Sequence, residues 1–250
     1  MTVKIFGFGW VGKAMKQLFP DAIVHDPALG MVNSEKADVA FVCVPTPCVN
    51  EGKLDTSIVE QVIKDAEEDL LIVRSTVNPG DCDRWANKHN KRIVFQPEYL
   101  GETPSHPLLD QKARPFLILG GEAKDVRECI DLYATTYNAN VSITILTRLE
   151  AEIVKLSENR AILFKVSQCQ ELYDVCEKAG VDYYKIRDAV YKDDPRFNLW
   201  WTFVYPDKRG ANSKCIPKDV YAWAAWAESL GYNPEVTRSL LERNKKWISQ

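Results

Sequence analysis

The segment Lys214-Cys215-Ile216-Pro217-Lys218-Asp219 sets a thiol just before a predicted helix, with Lys214 and Lys218 near it and a carboxylate four residues on. A thiol acts as its thiolate, and a helix N-terminus and two ammonium groups each favour that form. The same segment also reads as a buried structural cysteine, with Asp219 an ordinary carboxylate at a helix start. The local pattern does not separate the two. Upstream, Glu152, Lys155 and Asn159 stand three and four residues apart and so share one helix face. A lysine and an asparagine one turn apart can both donate to a developing oxyanion. They can equally form a solvated stripe opposite an apolar face.

At the other end, Val3-Lys4-Ile5-Phe6 reads as a strand and runs straight into Gly7-Phe8-Gly9-Trp10-Val11-Gly12, followed by a predicted helix over Lys13–Phe19. Strand, GxGxxG turn and helix are the parts that cradle a pyrophosphate. Gly7 allows the tight turn, Gly9 lets backbone approach the phosphates, and Gly12 lets helix and sheet pack closely. A second strand over Ala22–His25 ends at Asp26, near the spacing of the acidic residue that accepts from an adenosine ribose. A carboxylate there repels a 2′-phosphate, which favours NAD over NADP. The competing reading is that Asp26-Pro27 merely opens a turn.

The elements that must position these residues follow from the apolar pattern. Short runs at Val3–Phe6, Val39–Val44, Leu70–Arg74, Arg92–Phe95, Pro115–Leu119 and Val141–Leu146 alternate with longer amphipathic segments, the rhythm of a mostly parallel sheet with crossovers. From Arg148 to Ala179 neither Pro nor Gly interrupts, and Leu149, Ile153, Leu156, Leu163, Val166 and Leu172 keep helical spacing. Further helices are expected over Lys218–Leu230 and from Glu235 to the end. The expected fold is therefore α/β: a Rossmann-type domain over 1–147, then an all-helical central domain over 148–250 with one long helix. A net charge of -3 gives no reason for a nucleic-acid or anionic-membrane partner. Seven cysteines without a CxxC pair, and three dispersed histidines, argue against a metal site or disulfide framework and for thiols in a reducing compartment, the cytoplasm. No segment reads as a signal peptide or membrane span.

Six segments form an ordered series: Gly7–Gly12; Val44-Pro45-Thr46-Pro47; Arg74-Ser75-Thr76-Val77-Asn78-Pro79-Gly80; Gln96-Pro97-Glu98-Tyr99-Leu100-Gly101-Glu102; Glu150-Ala151-Glu152-Ile153-Val154-Lys155 with Asn159; and Cys215-Ile216-Pro217-Lys218-Asp219. Together they resemble the UDP-glucose/GDP-mannose dehydrogenase family, in its order and over nearly the whole chain. The resemblance implies a four-electron oxidation of a hexose C6 alcohol by two NAD molecules in turn. It implies Cys215 as nucleophile, Lys155 and Asn159 as the oxyanion-stabilising pair, and Asp219 as the carboxylate assisting proton transfer. Thr76, Glu98 and Glu102 match positions that line the site and handle water. The cofactor would be held by Gly7, Phe8, Gly9, Trp10, Val11, Gly12, Asp26, Val44, Pro45, Thr46, Ser75, Thr76 and Lys218. The substrate would meet Tyr99, Leu100, Lys155, Asn159, Gly210 and Arg196, the last resembling an arginine that reaches a neighbouring subunit.

Two departures stand out. The family's GxGGxC run reads Gly210-Ala211-Asn212-Ser213-Lys214-Cys215 here, and the Asn-Glu pair later on the long helix is Gln170-Glu171. The family also has a third domain gripping the nucleotide, and the sequence stops at Asn244-Lys245-Lys246-Trp247-Ile248-Ser249-Gln250, about where the linker to it is expected. The leading expectation is a nucleotide-sugar 6-dehydrogenase, UDP-glucose first, with GDP-mannose or a UDP-N-acetyl hexosamine as same-class alternatives. A non-catalytic nucleotide-binding subunit partnering a complete dehydrogenase is the other reading. Trp200, Trp201, Trp223, Trp226 and Trp247 crowd the helical part, more ring surface than a few helices are expected to enclose, which points to a homodimer built on that domain.

Overall fold

The computed structural model describes residues 1–50, 52–100, 115–137 and 140–249. The chain divides into two compact units, one of residues 1–47 and 54–155, the other of residues 48–53 and 156–250. The sequence reading sets its boundary at Thr147; the units divide further on, between Lys155 and Leu156, inside one helix.

The first unit is built on a seven-stranded sheet. Its elements are β1 (Val3–Phe6), α1 (Trp10–Leu18), β2 (Ile23–His25), β3 (Val39–Val42), α2 (Ser57–Asp65), β4 (Leu70–Val73), α3 (Asp81–His89), β5 (Ile93–Phe95), β6 (Phe116–Gly120), α4 (Ala123–Tyr133) and β7 (Ser142–Leu146). The sheet order is β2-β1-β3-β4-β5-β6-β7, and among the described residues only the β5–β6 pair is antiparallel. Alternate residues of the buried strands face opposite sides. Val3, Ile5, Val39, Phe41, Leu70 and Ile72 pack with Met15 and Leu18 of α1 and Val126, Cys129 and Leu132 of α4. Phe6, Ala40, Val42, Leu71, Val73, Ile93 and Phe95 pack with Val59 and Ile63 of α2 and Cys82 and Trp85 of α3. The chain leaves β1 for β2 on one side and returns to β3 on the other. This reversal opens a crevice at the carboxyl ends of β1 and β3, where such sheets take their ligands.

The long helix α5 spans Arg148–Ala179, the bounds that the uninterrupted periodicity predicts. The second unit holds its later turns, α6 (Tyr183–Tyr191), α7 (Ile216–Ser229) and α8 (Glu235–Ile248). Helix α6 escapes the sequence reading; it is short, and Asp182 caps it by accepting from Tyr184 N at 2.8 Å. Leu163, Ala211, Val220, Tyr221 and Leu241 form one core cluster, and Cys169, Cys176, Tyr183, Tyr191 and Val204 another. Asp174 accepts from Arg209 Nη2 at 2.5 Å and from Trp247 Nε1 at 2.8 Å. Burial alone would raise its carboxyl, but those bonds and the Arg209 and Arg243 charges hold it below the ordinary range. Trp247 is buried, Trp201, Trp223 and Trp226 are half-buried, and Trp200 is exposed, so this unit encloses more of its ring surface than its size suggests. No described helix is long and apolar enough to cross a membrane.

In the first unit the opening turns of α5 fasten onto α3. Glu152, fully buried, accepts from Gly80 N at 2.6 Å and Cys82 N at 2.9 Å, taking two N–H groups that a helix start leaves unmet. Burial pushes its carboxyl up from 4.5 to about 7, against the pull of those two bonds. A folded state that holds this proton more tightly than the unfolded chain gains stability from it at low pH. That gain declines as pH rises from about 4.5 to about 7. Denaturant unfolding across this window should show wild type losing stability relative to Glu152→Gln. A constant difference would contradict the burial effect. Glu152→Ala leaves two buried donors unmet and should cost about 2 kcal/mol or more.

Candidate active site

At the carboxyl end of β1 the chain turns tightly. Gly7 has φ +88°, and a Cβ on it would lie 2.6 Å from Cys43 O. A Cβ on Gly12 would lie 2.0 Å from Gly7 O, so α1 can pack this closely only on glycine. A Cβ on Gly9 would meet nothing within 4 Å, which leaves room for a group to approach the backbone there. Gly9 caps α1 without a side-chain bond, and the first turn carries no acidic residue. The N–H groups and partial positive charge of that turn face no protein anion of their own first turn, and the site fits a pyrophosphate. Phe8 is half-buried, Val11 half-buried and Trp10 exposed at the turn. Asp26 accepts from Phe8 N at 2.7 Å through Oδ2 and from Ala28 N at 3.1 Å through Oδ1. Both readings of Asp26 therefore have a footing: it opens the turn at Pro27, and it stands beside the glycine loop.

The turn after β3 carries Val44, half-buried, Pro45, exposed, and Thr46, buried. Ser75, expected to hold the cofactor, has its hydroxyl engaged by the protein: it donates to Val44 O at 2.7 Å and so pins that turn. Thr76 beside it is half-buried. Arg74, buried beneath them, is missed as a functional residue by the sequence reading. It donates to Gln96 Oε1 at 2.7 Å and pairs with Glu98. Glu98 also accepts from Tyr99 N at 2.7 Å and Leu100 N at 2.6 Å. A carboxylate so engaged shapes the Gln96–Leu100 loop, a role that a water-handling assignment leaves out. Lys155, 8% exposed, places its ammonium 5.2 Å from the centre of the Tyr99 ring. Two residues expected at the substrate are thus brought together within the first unit. Glu102 lies outside the described residues.

In the second unit Cys215 is exposed and precedes α7. Its carbonyl accepts from Asp219 N at 3.1 Å, and Ser213 Oγ accepts from Ile216 N at 3.0 Å. Asp219 is fully buried, and its oxygens accept from Asn159 Nδ2 and Lys218 Nζ, each at 2.5 Å. Spacing alone pairs Asn159 with Lys155; the fold adds the bond to Asp219. Lys218, expected at the cofactor, is committed to Asp219 in an ion pair. Arg196 is 79% exposed and forks onto Asp194 at 2.6 to 3.0 Å. Gly210, expected to bring backbone to the sugar, has another reason to be glycine. Its φ is +73°, and a Cβ would lie 2.9 Å from Asn244 Oδ1 and 3.3 Å from Trp247 Cβ. The sequence gives no sign of this, because Asn244 and Trp247 lie more than thirty residues downstream.

Comparison with known proteins agrees with this architecture. The NAD binding domain of the UDP-glucose/GDP-mannose dehydrogenase family matches residues 30–137, and that family's central domain matches residues 149–246. The chain belongs to the UDP-glucose/GDP-mannose dehydrogenase family, and NAD is the cofactor of its first unit. It is 28% identical over 228 residues to UDP-glucose 6-dehydrogenase of Pseudomonas aeruginosa, covering 84% of this chain and 49% of that protein. GDP-mannose 6-dehydrogenase of the same organism is 26% identical over 234 residues, covering 86% and 52%. The chain spans about half the length of these relatives. Its fold matches a UDP-glucose dehydrogenase from Pyrobaculum islandicum with a TM-score of 0.80 at 20% identity, covering 98% of this chain and 68% of that one.

The expectation that Asp26 repels a 2′-phosphate predicts that wild type prefers NAD to NADP by tenfold or more, about 1.4 kcal/mol. Calorimetric titration of wild type and Asp26→Ala with both cofactors checks this. Asp26→Ala should narrow the preference and weaken NAD binding, since Phe8 N loses its acceptor. Equal affinities in wild type would contradict it.

Proposed function

We propose that the chain carries the cofactor-binding and covalent-catalysis parts of an NAD-dependent nucleotide-sugar 6-dehydrogenase, which takes the C6 alcohol of the sugar to a carboxylate. UDP-glucose is the first substrate to test, with GDP-mannose and a UDP-N-acetyl hexosamine next. The observation that carries this reading is Asp219, fully buried, held by Asn159 and Lys218, and one helical turn from the exposed Cys215. An isolated carboxylate would not be buried there without a task or a structural need, and here it has polar partners on both oxygens.

NAD, held by the Gly7–Gly12 turn and Asp26, would supply the hydride acceptor, one molecule for each of the two oxidations. Cys215 captures the aldehyde left by the first oxidation: its sulfur bonds to the carbonyl carbon, and the carbonyl electron pair moves onto oxygen. The thiohemiacetal keeps one hydrogen on that carbon for the second oxidation, which leaves a thioester. Lys155 and Asn159 donate to the oxygen whenever it is negative. An asparagine amide has two N–H groups, so Asn159 can hold Asp219 with one and the oxyanion with the other. Asp219 relays the proton as water adds to the thioester and the thiolate departs. The resemblance gives Thr76, Glu98 and Glu102 the handling of that water, and Arg74 pairs with Glu98. Capture by Cys215 keeps the aldehyde from escaping, and release as a carboxylate makes the sequence practically irreversible.

Incubation with NAD and each nucleotide sugar, followed by absorbance, should yield two NADH per sugar consumed. One NADH would mean that oxidation stops at the aldehyde, and none across the panel would overturn the proposal. Cys215→Ser should abolish most turnover while leaving NAD affinity intact, and Lys155→Ala should lower kcat by about a hundredfold or more. Near-wild-type turnover in Cys215→Ser would remove that residue from the chemistry.

We further propose a cytoplasmic homodimer built on the helical unit. Phe197, Trp200, Phe203 and Tyr205 are each about half exposed, an apolar set that a two-fold interface would cover. Arg196, exposed beside them, would then exchange its fork onto Asp194 for the neighbouring substrate. Light scattering at micromolar concentration should give twice the chain mass, and a monomer with undiminished activity on dilution would contradict both ideas.

A further inference from the structure

The loop that ends in Cys215 is fixed from α8 by one side chain. Asn244, 3% exposed, places both ends of its amide on the backbone of Ala211: Oδ1 accepts from Ala211 N at 2.8 Å, and Nδ2 donates to Ala211 O at 3.0 Å. The amide thus imitates a strand neighbour and satisfies donor and acceptor of one buried residue. Gly210 lies against the same oxygen, where any Cβ would crowd it at 2.9 Å. Ala211 is buried, while Asn212, Ser213, Lys214 and Cys215 are all exposed. Downstream, Ser213 Oγ accepts from Ile216 N, so the exposed stretch closes onto the first turn of α7. Three residues separate the clamped alanine from the thiol, too few to let it wander while both ends are held.

We propose that Asn244 is a positioning residue for Cys215: by clamping Ala211 it fixes where, and in what electrostatic surroundings, the thiol sits at the start of α7. The element that presents the thiol is therefore α8, through a bidentate amide, in addition to the helix that follows the cysteine. The importance of this for catalysis rests on the reading of Cys215 as nucleophile, but the positioning itself does not. Only a side chain that both accepts and donates in this geometry will serve. Aspartate keeps the size and the acceptor, yet turns a carboxylate oxygen toward the Ala211 carbonyl.

The test is the pH dependence of Cys215 alkylation by iodoacetamide, followed by peptide mass, in wild type, Asn244→Leu, Asn244→Asp and Thr237→Val. Cys215 is the exposed cysteine among the seven, which makes its labelling separable. Thr237→Val is the control: it removes the Arg160 bond from a buried residue of the same helix without touching Ala211. Asn244→Leu and Asn244→Asp should each move the midpoint of the profile upward by about half a pH unit, a threefold loss of thiolate at neutral pH, with Thr237→Val unmoved. Unchanged profiles in folded Asn244 variants would overturn the proposal, and so would an equal shift in Thr237→Val. If Asn244→Leu fails to fold, the isosteric Asn244→Asp decides alone. An enzyme inactive on every sugar would sink the proposed reaction and leave this readout intact.

Discussion

A carboxylate sealed from water is expensive unless it is paired, and Asp219 is sealed and paired. Its position in the second unit constrains much else. One oxygen is held by Asn159 of α5 and the other by Lys218, while its own N–H bonds Cys215 O and begins α7. A single residue therefore joins the long helix, the start of the next one and the backbone of the candidate nucleophile. Removing either partner would leave a buried charge or a buried donor unmet, an outcome that disturbs the packing of α7 on α5 as much as any chemistry. Structure and proposed reaction draw on the same group.

The first unit solves a similar problem around Arg74. A guanidinium 1% exposed donates to Gln96 and pairs with Glu98, and the second of these in turn holds two backbone N–H groups of the following loop. That network lies next to the crevice made where the sheet order reverses between β1 and β3. The glycine turn above it is the opposite case: it is built by leaving side chains out. Gly7 and Gly12 are glycine for lack of space, whereas Gly9 is glycine beside open space. The distinction separates glycines that let the fold close from the one that leaves its backbone open to approach.

The strands, the long helix and the glycine turn were legible because each is encoded locally, by alternation, by helical spacing or by a short motif. Helix α5 shows this best, since 32 residues without Pro or Gly leave little choice of bounds. What stayed hidden were partners distant in sequence. Glu152 reads as one member of a helical face; its role as the cap of α3 depends on residues about seventy positions earlier. Gly210 reads as backbone bared to a sugar, yet α8 packs on it. Ser75 and Lys218 read as cofactor contacts from their motifs, and the fold adds bonds from the hydroxyl to Val44 O and from the ammonium to Asp219. Residue type was visible in every case, and direction was not.

The claim that Asp219 and Asn159 act as one unit is most directly tested by a double-mutant cycle on unfolding free energy, with Asn159→Ala, Asp219→Ala and the pair. A buried hydrogen bond to a charge predicts that the double variant is less damaged than the sum of the singles by about 1 to 3 kcal/mol. Additivity within about 0.5 kcal/mol would contradict the account, because the two side chains would then be neighbours without being partners.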